Sequence, residues 1–341
     1  TFTPDDTDNY HTLIGSIIPW RRSTGGGGTS QTTPPVTTGT TTEGGTPTTE
    51  TTAVPTASVS GGTATATVDT STGGEIVKQA VANDSETVVI APKITGDVSK
   101  TEVSIPASTV GQISSQTSAS LTVSTPVADV TIPKVGLGSL GSMEGSVTVA
   151  AEKTGNTVEL TVTAGGRAVE SVPGGVTLTV PTTDAAPGTV AVLVHGDGTR
   201  EVVRKSVAGD GSITIPLEGS AKLEIVDNSK TFIDVPATGW VAEAAAFVSS
   251  HELFQGTAPG RLSPDAPMSR GMLAVVLHNL ENNPAQALTG AFADVSGGQW
   301  YAEGVAWAEA QGIIGGYGNG RFGPDDSVTR EQLAVMLWRY A

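Results

Sequence analysis

Cysteine is absent from this 341-residue sequence, and so are long apolar runs. Without cysteine the chain has no disulfide, no thiolate metal ligand and no cysteine nucleophile. A helix that spans a bilayer needs a run of about twenty apolar residues, so we predict no membrane insertion. The sequence starts at Thr1 without the pattern of a signal peptide, and we expect any export signal to lie upstream.

Basic residues are also scarce. The 18 lysine and arginine residues are outnumbered by 34 aspartate and glutamate residues, which gives a formal net charge of −16. A nucleic-acid-binding protein needs a basic face that replaces counterions along the phosphate backbone. The charge balance therefore argues against a nucleic-acid partner and is typical of acidic surface proteins.

Aromatic residues are few and unevenly placed. None occurs between Trp20 and Phe232, whereas most of them lie beyond Thr231. Because aromatic side chains supply the largest apolar area per residue, we predict that the densest core is C-terminal.

Residues 1–19 predict two short strands around a polar turn. Their T-F-T-P-x-D-x-x-N-Y run resembles the closing hairpin of a bacterial immunoglobulin-like repeat, which implies the tail of a β domain. The aspartates of the turn lack the glycine and the terminal glutamate of an EF-hand loop, so we predict no metal site there.

Residues 20–74 have low complexity. From Gln31 to Thr52, twelve of twenty-two residues are threonine, and aliphatic residues are rare. Such a segment buries too little apolar surface to offset its ordering entropy. We therefore predict a disordered Thr/Gly/Pro-rich linker, open to O-glycosylation.

Residues 75–229 are rich in Val, Thr, Ile and Ser with period-two alternation, as in Val158–Val162 and Val176–Val180. Glycine-rich turns separate these runs, which favours an all-β, antiparallel, sandwich-like module. We expect one domain, or two subdomains that meet near Gly141. His195 belongs to no catalytic motif, and we predict that it is a surface residue.

The C-terminal third contains an internal duplication. A shift of sixty residues places 231–281 on 291–341 without a gap and gives seventeen identities over fifty-one pairs. In the second copy, helix-compatible residues run from Trp300 to Ala310 and Gly312 is placed to end the helix. Thr329 with Gln332 forms a capping box for the next helix. Ser269 caps the equivalent helix of the first copy, where we expect that Met272 cannot complete the box.

These copies carry an F-x-D-V start, a tryptophan six residues after the aspartate, and a helix that begins with Ser-Arg or Thr-Arg. Before Pro-Asp the second copy has a G-x-G-R loop, and the first copy departs from it because Ala258 replaces the leading glycine. Taken together they resemble S-layer homology (SLH) repeats. The β-rich module likewise resembles the spacers that often precede such repeats. The resulting fold class is multidomain: a disordered linker, an all-β spacer, and all-α helix–loop–helix repeats at 231–281 and 291–341.

The resemblance implies a prism of three repeats whose grooves bind secondary cell-wall polysaccharide that bears pyruvate ketals. Only two repeats are visible, so we expect a third after Ala341 or another way of forming the prism. An anionic ketal requires a cation, hydrogen-bond donors and an apolar face for the sugar ring. The residues predicted to bind the polysaccharide are Arg270, Arg330, Thr329, Ser269, Asp234, Asp294, Trp300, Gly316, Tyr317 and Gly320.

Structural roles compete with several of these assignments. Trp240, Trp300 and Trp307 fit a hydrophobic core at least as well as a sugar platform. Asp234 and Asp294 could instead cap turns or pair with an arginine of their own repeat.

We therefore predict a secreted, extracellular anchor at the cell wall or S-layer, with no catalytic residues, metal or cofactor. Surface-array neighbours are possible further partners. Two alternatives stay open. The chain could be the C-terminal part of a polysaccharide-degrading enzyme whose catalytic domain lies upstream, or it could be a surface adhesin.

Overall fold

The computed structural model describes residues 36–43, 46–183 and 185–341, and these form two compact units. Of these residues, the first unit contains 36–43, 46–183, Leu193–Thr199 and Gly211–Glu224. The second contains 185–192, Arg200–Asp210 and Ile225–Ala341. The predicted immunoglobulin-like tail, residues 1–19, and residues 20–35 of the predicted linker lie outside the described residues.

The described strands are β1 (Val36–Glu43), β2 (Thr46–Ala53), β3 (Ser58–Ser60), β4 (Thr63–Thr67), β5 (Thr87–Ile90), β6 (Lys100–Pro106), β7 (Ser120–Ser124), β8 (Asp129–Ile132), β9 (Ser146–Thr154), β10 (Thr157–Ala164), β11 (Arg167–Ala168), β12 (Val176–Pro181), β13 (Thr189–Val194), β14 (Arg200–Val202), β15 (Val207–Gly209), β16 (Ser212–Leu217) and β17 (Ala221–Asp227). The described helices are α1 (Thr70–Ala82), α2 (Ala107–Gln116), α3 (Lys134–Gly141), α4 (Trp240–Ser250), α5 (Arg270–Leu280), α6 (Ala302–Ala310) and α7 (Arg330–Tyr340).

The first unit is built on two sheets. One has the order β1-β2-β5-β7-β8-β12-β16, and the other has β17-β10-β9-β6-β4-β3 with β11 beside β10. Strands β2 and β5, β5 and β7, and β4 and β6 are parallel neighbours, while the remaining paired strands of this unit are antiparallel. The predicted alternation of strands is confirmed, but a purely antiparallel arrangement is wrong.

Helices α1, α2 and α3 each connect a strand of one sheet to a strand of the other. The spacer is therefore β-rich rather than all-β. Helix α1 shows why: Asp69 caps it by accepting a hydrogen bond from the Thr72 backbone N–H, and Ile76, Val77 and Ala80 bury one face. The cap signal was present in the sequence, but the surrounding Thr and Gly residues obscured it.

The predicted linker is wrong for residues 36–74. Strands β1 to β4 and the start of α1 lie there, and β4 alternates buried alanines with exposed threonines. Threonine is β-branched and suits a pleated strand when partners are available. The partners are distant in sequence: β2 pairs with β5 and β4 pairs with β6. Local composition alone could not reveal them.

The alternative of two subdomains that meet near Gly141 is also wrong. Strand β6 precedes this glycine and β9 follows it, yet the two strands pair directly. A Cβ atom on Gly141 would lie 2.3 Å from the backbone of Gly111, so α2 and α3 cross at van der Waals distance. The core of this unit is aliphatic, and its largest fully buried side chains are Ile76, Ile90, Ile105, Ile113, Leu121, Ile132, Leu137, Leu140, Leu160, Leu178 and Ile213.

The second unit contains both repeats, each with two helices. Helix α6 ends at Ala310, and Gly312 has a φ of +72°, as predicted for the residue that terminates the helix. Helices α5, α6 and α7 share one core, centred on Leu273, Val305, Trp307 and Phe322. The first helix of the second copy therefore packs on the second helix of the first copy.

Part of the predicted 75–229 spacer belongs to this second unit. Ser206 accepts a hydrogen bond at its carbonyl oxygen from His251 Nε2 at 2.8 Å, and Lys205 Nζ lies 2.7 Å from Glu281 Oε1. Asn228 donates to the Ser250 carbonyl oxygen at 2.6 Å. The helical unit thus extends beyond the boundary at 231, because segments before it cover the carboxyl ends of α4 and α5.

Candidate functional site

Both predicted N-caps are confirmed. Ser269 and Thr329 accept hydrogen bonds from the backbone N–H groups of Met272 and Gln332, three residues on. The Met272 sulfur also receives the Ser269 N–H at 3.5 Å, so the expectation that methionine leaves this capping box open is wrong. The thioether sulfur of methionine is a weak hydrogen-bond acceptor, and here it takes the place of the usual Glu or Gln oxygen.

Asp234 and Asp294 act as equivalent clasps within their own repeats. Asp294 accepts hydrogen bonds from the backbone N–H groups of Phe322 and Gly323 at 2.8 and 2.9 Å, and Asp234 does the same for Leu262 and Ser263. This is the turn-capping alternative that the sequence left open. Both carboxylates hold the glycine loop against the start of the repeat.

The pKa of Asp294 is lowered by this arrangement. Partial burial raises it, but the hydrogen bonds from Phe322 and Gly323, with the nearby charge of Arg321, outweigh that effect. Arg321 Nε lies 3.6 Å from the carboxylate. Asp294 is thus held ionised and engaged within its own repeat.

Arg270 lies at the junction of the two repeats and is 3 % exposed. Its Nε donates to the Phe322 carbonyl oxygen at 2.9 Å, and its Nη2 donates to the Gly315 carbonyl oxygen at 2.8 Å. Its guanidinium carbon lies 4.8 Å from the ring centre of Tyr317 and 4.5 Å from that of Phe322. An arginine of the first repeat is therefore enclosed by the glycine loop of the second.

No carboxylate of the described residues forms an ion pair with Arg270. Carbonyl oxygens and aromatic faces stabilise the guanidinium, but they leave its charge uncompensated. Nη1 has no hydrogen-bond partner among the described residues, and it is not one of their buried unpaired atoms. It therefore retains access to solvent.

Tyr317 covers this guanidinium from outside and is 49 % exposed. Its hydroxyl donates to Asp326 Oδ2 at 2.9 Å. The pKa of the Tyr317 phenol is raised, mainly by burial and next by this hydrogen bond. Asp326 was missed in the sequence because the equivalent residue of the first copy is Ala266.

The first backbone N–H groups of α5 are engaged within the protein. The backbone N–H groups of Arg270 and Gly271 donate to the carbonyl oxygens of Asp326 and Pro324. The preceding turn pairs with the second repeat through a bridge between Ser269 and Ser327. These donors stabilise the junction of the repeats.

Arg330 and Thr329 are exposed, and neither forms a hydrogen bond with the Arg270 guanidinium. Gly316 has a structural role, because a Cβ atom there would lie 2.6 Å from the Arg321 carbonyl oxygen and 2.6 Å from the Phe292 ring. Gly320 has a φ of +76° and open space beside it, and its carbonyl oxygen accepts from Ala293. The structure thus brings together Ser269, Arg270, Gly316 and Tyr317, with Asp294 holding the same loop.

The tryptophans divide between core and surface. Trp307 is buried as predicted, but Trp240 and Trp300 are 75 % and 59 % exposed, so a core role for them is wrong. They stand at the starts of the first helices of the two repeats. Trp300 touches the ring of Tyr301 edge-on at 5.3 Å and stays available to a ligand.

Two cavities lie at equivalent places, where the chain enters each repeat. One, of about 600 Å³, includes Phe232 and Phe254, and the other, of about 240 Å³, includes Phe292 and Val305. Neither is lined by a residue predicted to bind polysaccharide. In the described part of the chain, no group of three or more His, Asp or Glu side chains could hold a metal ion. None of its helices combines the length and apolarity needed to cross a bilayer.

Residues 231–271 and 291–334 match the model of the S-layer homology domain. These two segments are S-layer homology domains. The match covers the F-x-D-V start, the loop and the capped start of the second helix in each SLH repeat. It stops short of the linker and the β-rich unit.

The chain is also similar to several larger proteins. The chain is 28 % identical over 189 residues to an amylopullulanase of Thermoanaerobacterium thermosulfurigenes, which covers 54 % of this chain and 10 % of that protein. It is 30 % identical over 128 residues to the S-layer protein sap of Bacillus anthracis, which covers 37 % of this chain and 16 % of that protein. It is 28 % identical over 111 residues to a cellulosome-anchoring protein of Acetivibrio thermocellus, which covers 31 % of this chain and 24 % of that protein.

The chain therefore spans between a tenth and a quarter of the length of these relatives. The SLH domains of this chain, together with its similarity to an S-layer protein and to a cellulosome-anchoring protein, indicate an association with the cell surface.

Proposed function

We propose that the two SLH repeats anchor this protein non-covalently at the outside of the cell wall by binding a pyruvylated secondary cell-wall polysaccharide. The observation that carries the proposal is the uncompensated charge of Arg270 at the junction of the repeats. A guanidinium that is buried without an acid favours an anionic ligand, because buried charges are usually paired. A pyruvate ketal would supply such a carboxylate.

The surroundings of Arg270 suit a sugar acid. Nη1 retains a donor that can reach a carboxylate at the surface. The half-exposed ring of Tyr317 offers an apolar face, and its far side already rests on the guanidinium. Gly318 and Gly320 have open space where a side chain would otherwise stand, so a sugar can approach the backbone.

The net charge of −16 limits how this site acts. An acidic chain repels an acidic polymer at long range, and salt screens that repulsion beyond about 10 Å. Attraction must then come from short-range contacts at the junction. We expect the affinity for the polymer to hold or rise slightly as salt increases, unlike that of a basic polyanion-binding protein.

A second arginine site at Arg330 is incomplete in this arrangement. Arg330 is exposed, and no described glycine loop covers it as residues 315–323 cover Arg270. We assign the primary contact to the junction and a subsidiary role to Arg330, Thr329 and Trp300.

The relatives favour one identity for the cargo. The chain is similar over part of its length to an amylopullulanase, an exoglucanase and an endo-1,4-beta-xylanase. We propose that the chain is the non-catalytic anchoring part of a surface protein, with a polysaccharide-degrading domain upstream as the favoured cargo.

The test compares binding of the full chain and its variants to immobilised wall polysaccharide by surface plasmon resonance. Tyr317→Ala should weaken binding roughly 3- to 10-fold, the value of one aromatic contact of about 0.5–1.5 kcal/mol. Arg270→Lys keeps the charge but loses the planar fork, and it should weaken binding more.

Arg321→Ala is the matched control, because this arginine is on the same loop but points to solvent, 67 % exposed. Thermal unfolding followed by circular dichroism separates loss of binding from loss of fold. Equal binding of wild type to pyruvylated and depyruvylated polymer would show that the carboxylate is not recognised. Unchanged binding by Tyr317→Ala would remove the junction as the site.

A further inference from the structure

The glycine loop of the second repeat carries an asparagine that is followed directly by a glycine. Asn319-Gly320 is the only Asn-Gly pair in the sequence. Both residues are exposed, and a Cβ atom on Gly320 would meet nothing within 4 Å. Asparagine is a thermolabile residue, because the backbone nitrogen that follows it can attack the side-chain amide. A glycine at that place leaves the nitrogen unhindered and the backbone free to rotate.

The turn holds the Asn319 side chain against its own backbone. The Oδ1 atom of Asn319 accepts a hydrogen bond from the Arg321 backbone N–H at 3.2 Å. An Asx turn of this kind keeps the side-chain carbonyl beside the following peptide group. When the Gly320 nitrogen attacks Cγ, negative charge develops on Oδ1, and the Arg321 N–H is already directed at that oxygen. A donor placed in advance at a developing oxyanion lowers the barrier of such a step.

The two reacting nitrogen atoms of this pair are not held by other hydrogen bonds. Among the described residues, no acceptor binds the Asn319 Nδ2 group or the Gly320 N–H. By contrast, Asn83, Asn228 and Asn279 each donate from Nδ2 to a backbone carbonyl oxygen, at 2.7, 2.6 and 3.1 Å. These hydrogen bonds hold their amides in place, whereas the amide of Asn319 is free to leave.

We propose that Asn319 is a site of spontaneous deamidation in the folded protein, and that this modification loosens the loop that encloses Arg270. The Gly320 nitrogen forms a bond to Asn319 Cγ while the bond from Cγ to Nδ2 breaks. The proton that the Gly320 nitrogen loses reaches Nδ2 through water, and ammonia leaves. Water then opens the resulting cyclic imide at either of its carbonyl carbons, which gives aspartate or isoaspartate at position 319.

The isoaspartate product lengthens the loop. Its main chain runs through Cβ, so an additional carbon separates it from the next residue. The loop is fixed on the far side of that carbon, because the Gly320 carbonyl oxygen accepts from the Ala293 N–H at 2.8 Å. It is also closed across the carbon by the Tyr317 N–H, which donates to the Arg321 carbonyl oxygen at 2.9 Å. Since the Tyr317 ring covers the Arg270 guanidinium, a displaced loop should uncover this arginine.

The first repeat has a similar turn without the reactive side chain. The sixty-residue shift places Pro259 and Gly260 on Asn319 and Gly320. Gly260 has a φ of +69°, close to the +76° of Gly320. Proline has no side-chain amide, so of the two loops only the one that encloses Arg270 can age in this way.

Deamidation of this loop would limit the lifetime of the anchor. Arg270 and Tyr317 are the main residues of the proposed polysaccharide site, so the affinity for the polymer should fall as the protein ages. This consequence rests on the proposed function, whereas the deamidation itself does not.

Peptide mass spectrometry of the full chain, before and after prolonged incubation at mildly alkaline pH, tests the proposal. Trypsin cleaves after Arg270 and Arg321 and releases one peptide that contains Asn319 together with Asn279 and Asn282. Fragmentation of this peptide should place the mass increase of deamidation at residue 319 and leave the other asparagines unchanged. The rate should rise with pH, because base removes the proton from the attacking nitrogen.

Asn319→Gln is the matched control and should keep its mass, because its longer side chain closes a ring much less readily. The wild-type chain unfolded in urea is the positive control and should be modified at residue 319. Folded wild type that keeps Asn319 intact while the unfolded chain is modified would overturn the proposal, since the loop would then protect the residue.

Hydrogen exchange measures the effect on the loop. Aged wild type should lose protection at the backbone N–H groups of Ala293, Tyr317 and Phe322. Aged Asn319→Gln should match fresh wild type, and so should fresh Asn319→Asp, which carries the new charge on a main chain of normal length. Unchanged protection in deamidated wild type would show that the modification does not loosen the loop. The mass measurement does not involve the polymer, so this proposal and the proposed function fail separately.

Discussion

At the scale of single residues, the aspartate of the F-x-D-V start is a structural clasp in both repeats. Asp294 accepts two backbone N–H groups of the glycine loop. Asp294→Ala leaves both donors without their partner and should destabilise the second unit by about 1–3 kcal/mol. Urea unfolding followed by circular dichroism measures the change. Asp325→Ala, on the exposed Pro-Asp turn, is the control and should stay within about 0.5 kcal/mol of wild type.

The stability that Asp294 contributes should depend on pH. Because the pKa of Asp294 is lowered on folding, its contribution to stability is present above the unfolded value of about 3.9 and is lost as pH falls through the folded pKa. The difference between wild type and Asp294→Ala should therefore shrink below about pH 4. A difference that is constant with pH would show that the carboxylate charge is not what holds the loop.

At the scale of elements, helix packing depends on where glycine is required. A Cβ atom on Gly73 of α1 would lie 2.2 Å from the hydroxyl oxygen of buried Thr109, whereas one on adjacent Gly74 meets nothing within 4 Å. Gly73→Ala should destabilise the first unit by about 1–3 kcal/mol through overpacking. Gly74→Ala should stabilise it by about 0.5–1 kcal/mol, because alanine is the better helix former.

Chemical denaturation of the full chain measures both variants in the same helix. If the two substitutions shift the unfolding midpoint in the same direction, the packing of α1 on α2 is not as the structure describes it.

The elements of the repeats were the most predictable part of the fold. Their caps and the glycine that ends α6 are local signals, and the duplication supplied an internal check. The helix α1 was missed although Asp69 marks its start, because its Thr and Gly content is typical of a linker. The two hairpins β1–β2 and β3–β4 were missed because the strands that join them to the sheets, β5 and β6, lie tens of residues away in the sequence.

At the scale of the whole molecule, the helical unit includes segments that precede the family match. His251 is fully buried, and its Nε2 bonds to the Ser206 carbonyl oxygen. A fragment of residues 231–341 loses that contact and the one between Asn228 and Ser250. We expect this fragment to melt below the helical unit of the full chain.

Hydrogen exchange localises the effect, because protection should fall first at the carboxyl ends of α4 and α5. Burial lowers the pKa of His251, so its neutral form contributes stability at neutral pH that is lost as pH falls below about 6.5. The full chain should lose this stability as pH falls, and the fragment should lose less. Equal melting of fragment and full chain would show that the preceding segments are not part of the folded unit.

The sequence by itself determined the SLH repeats, their caps and the absence of cysteine chemistry, because these depend on residue type and short spacing. It also placed Arg270 and Tyr317 among the site residues. Only the tertiary structure decided that Arg270 is enclosed while Arg330 is open, since the two arginines occupy equivalent positions in sequence. What differs is the neighbour: the glycine loop of residues 315–323 covers Arg270, and no such loop among the described residues covers Arg330.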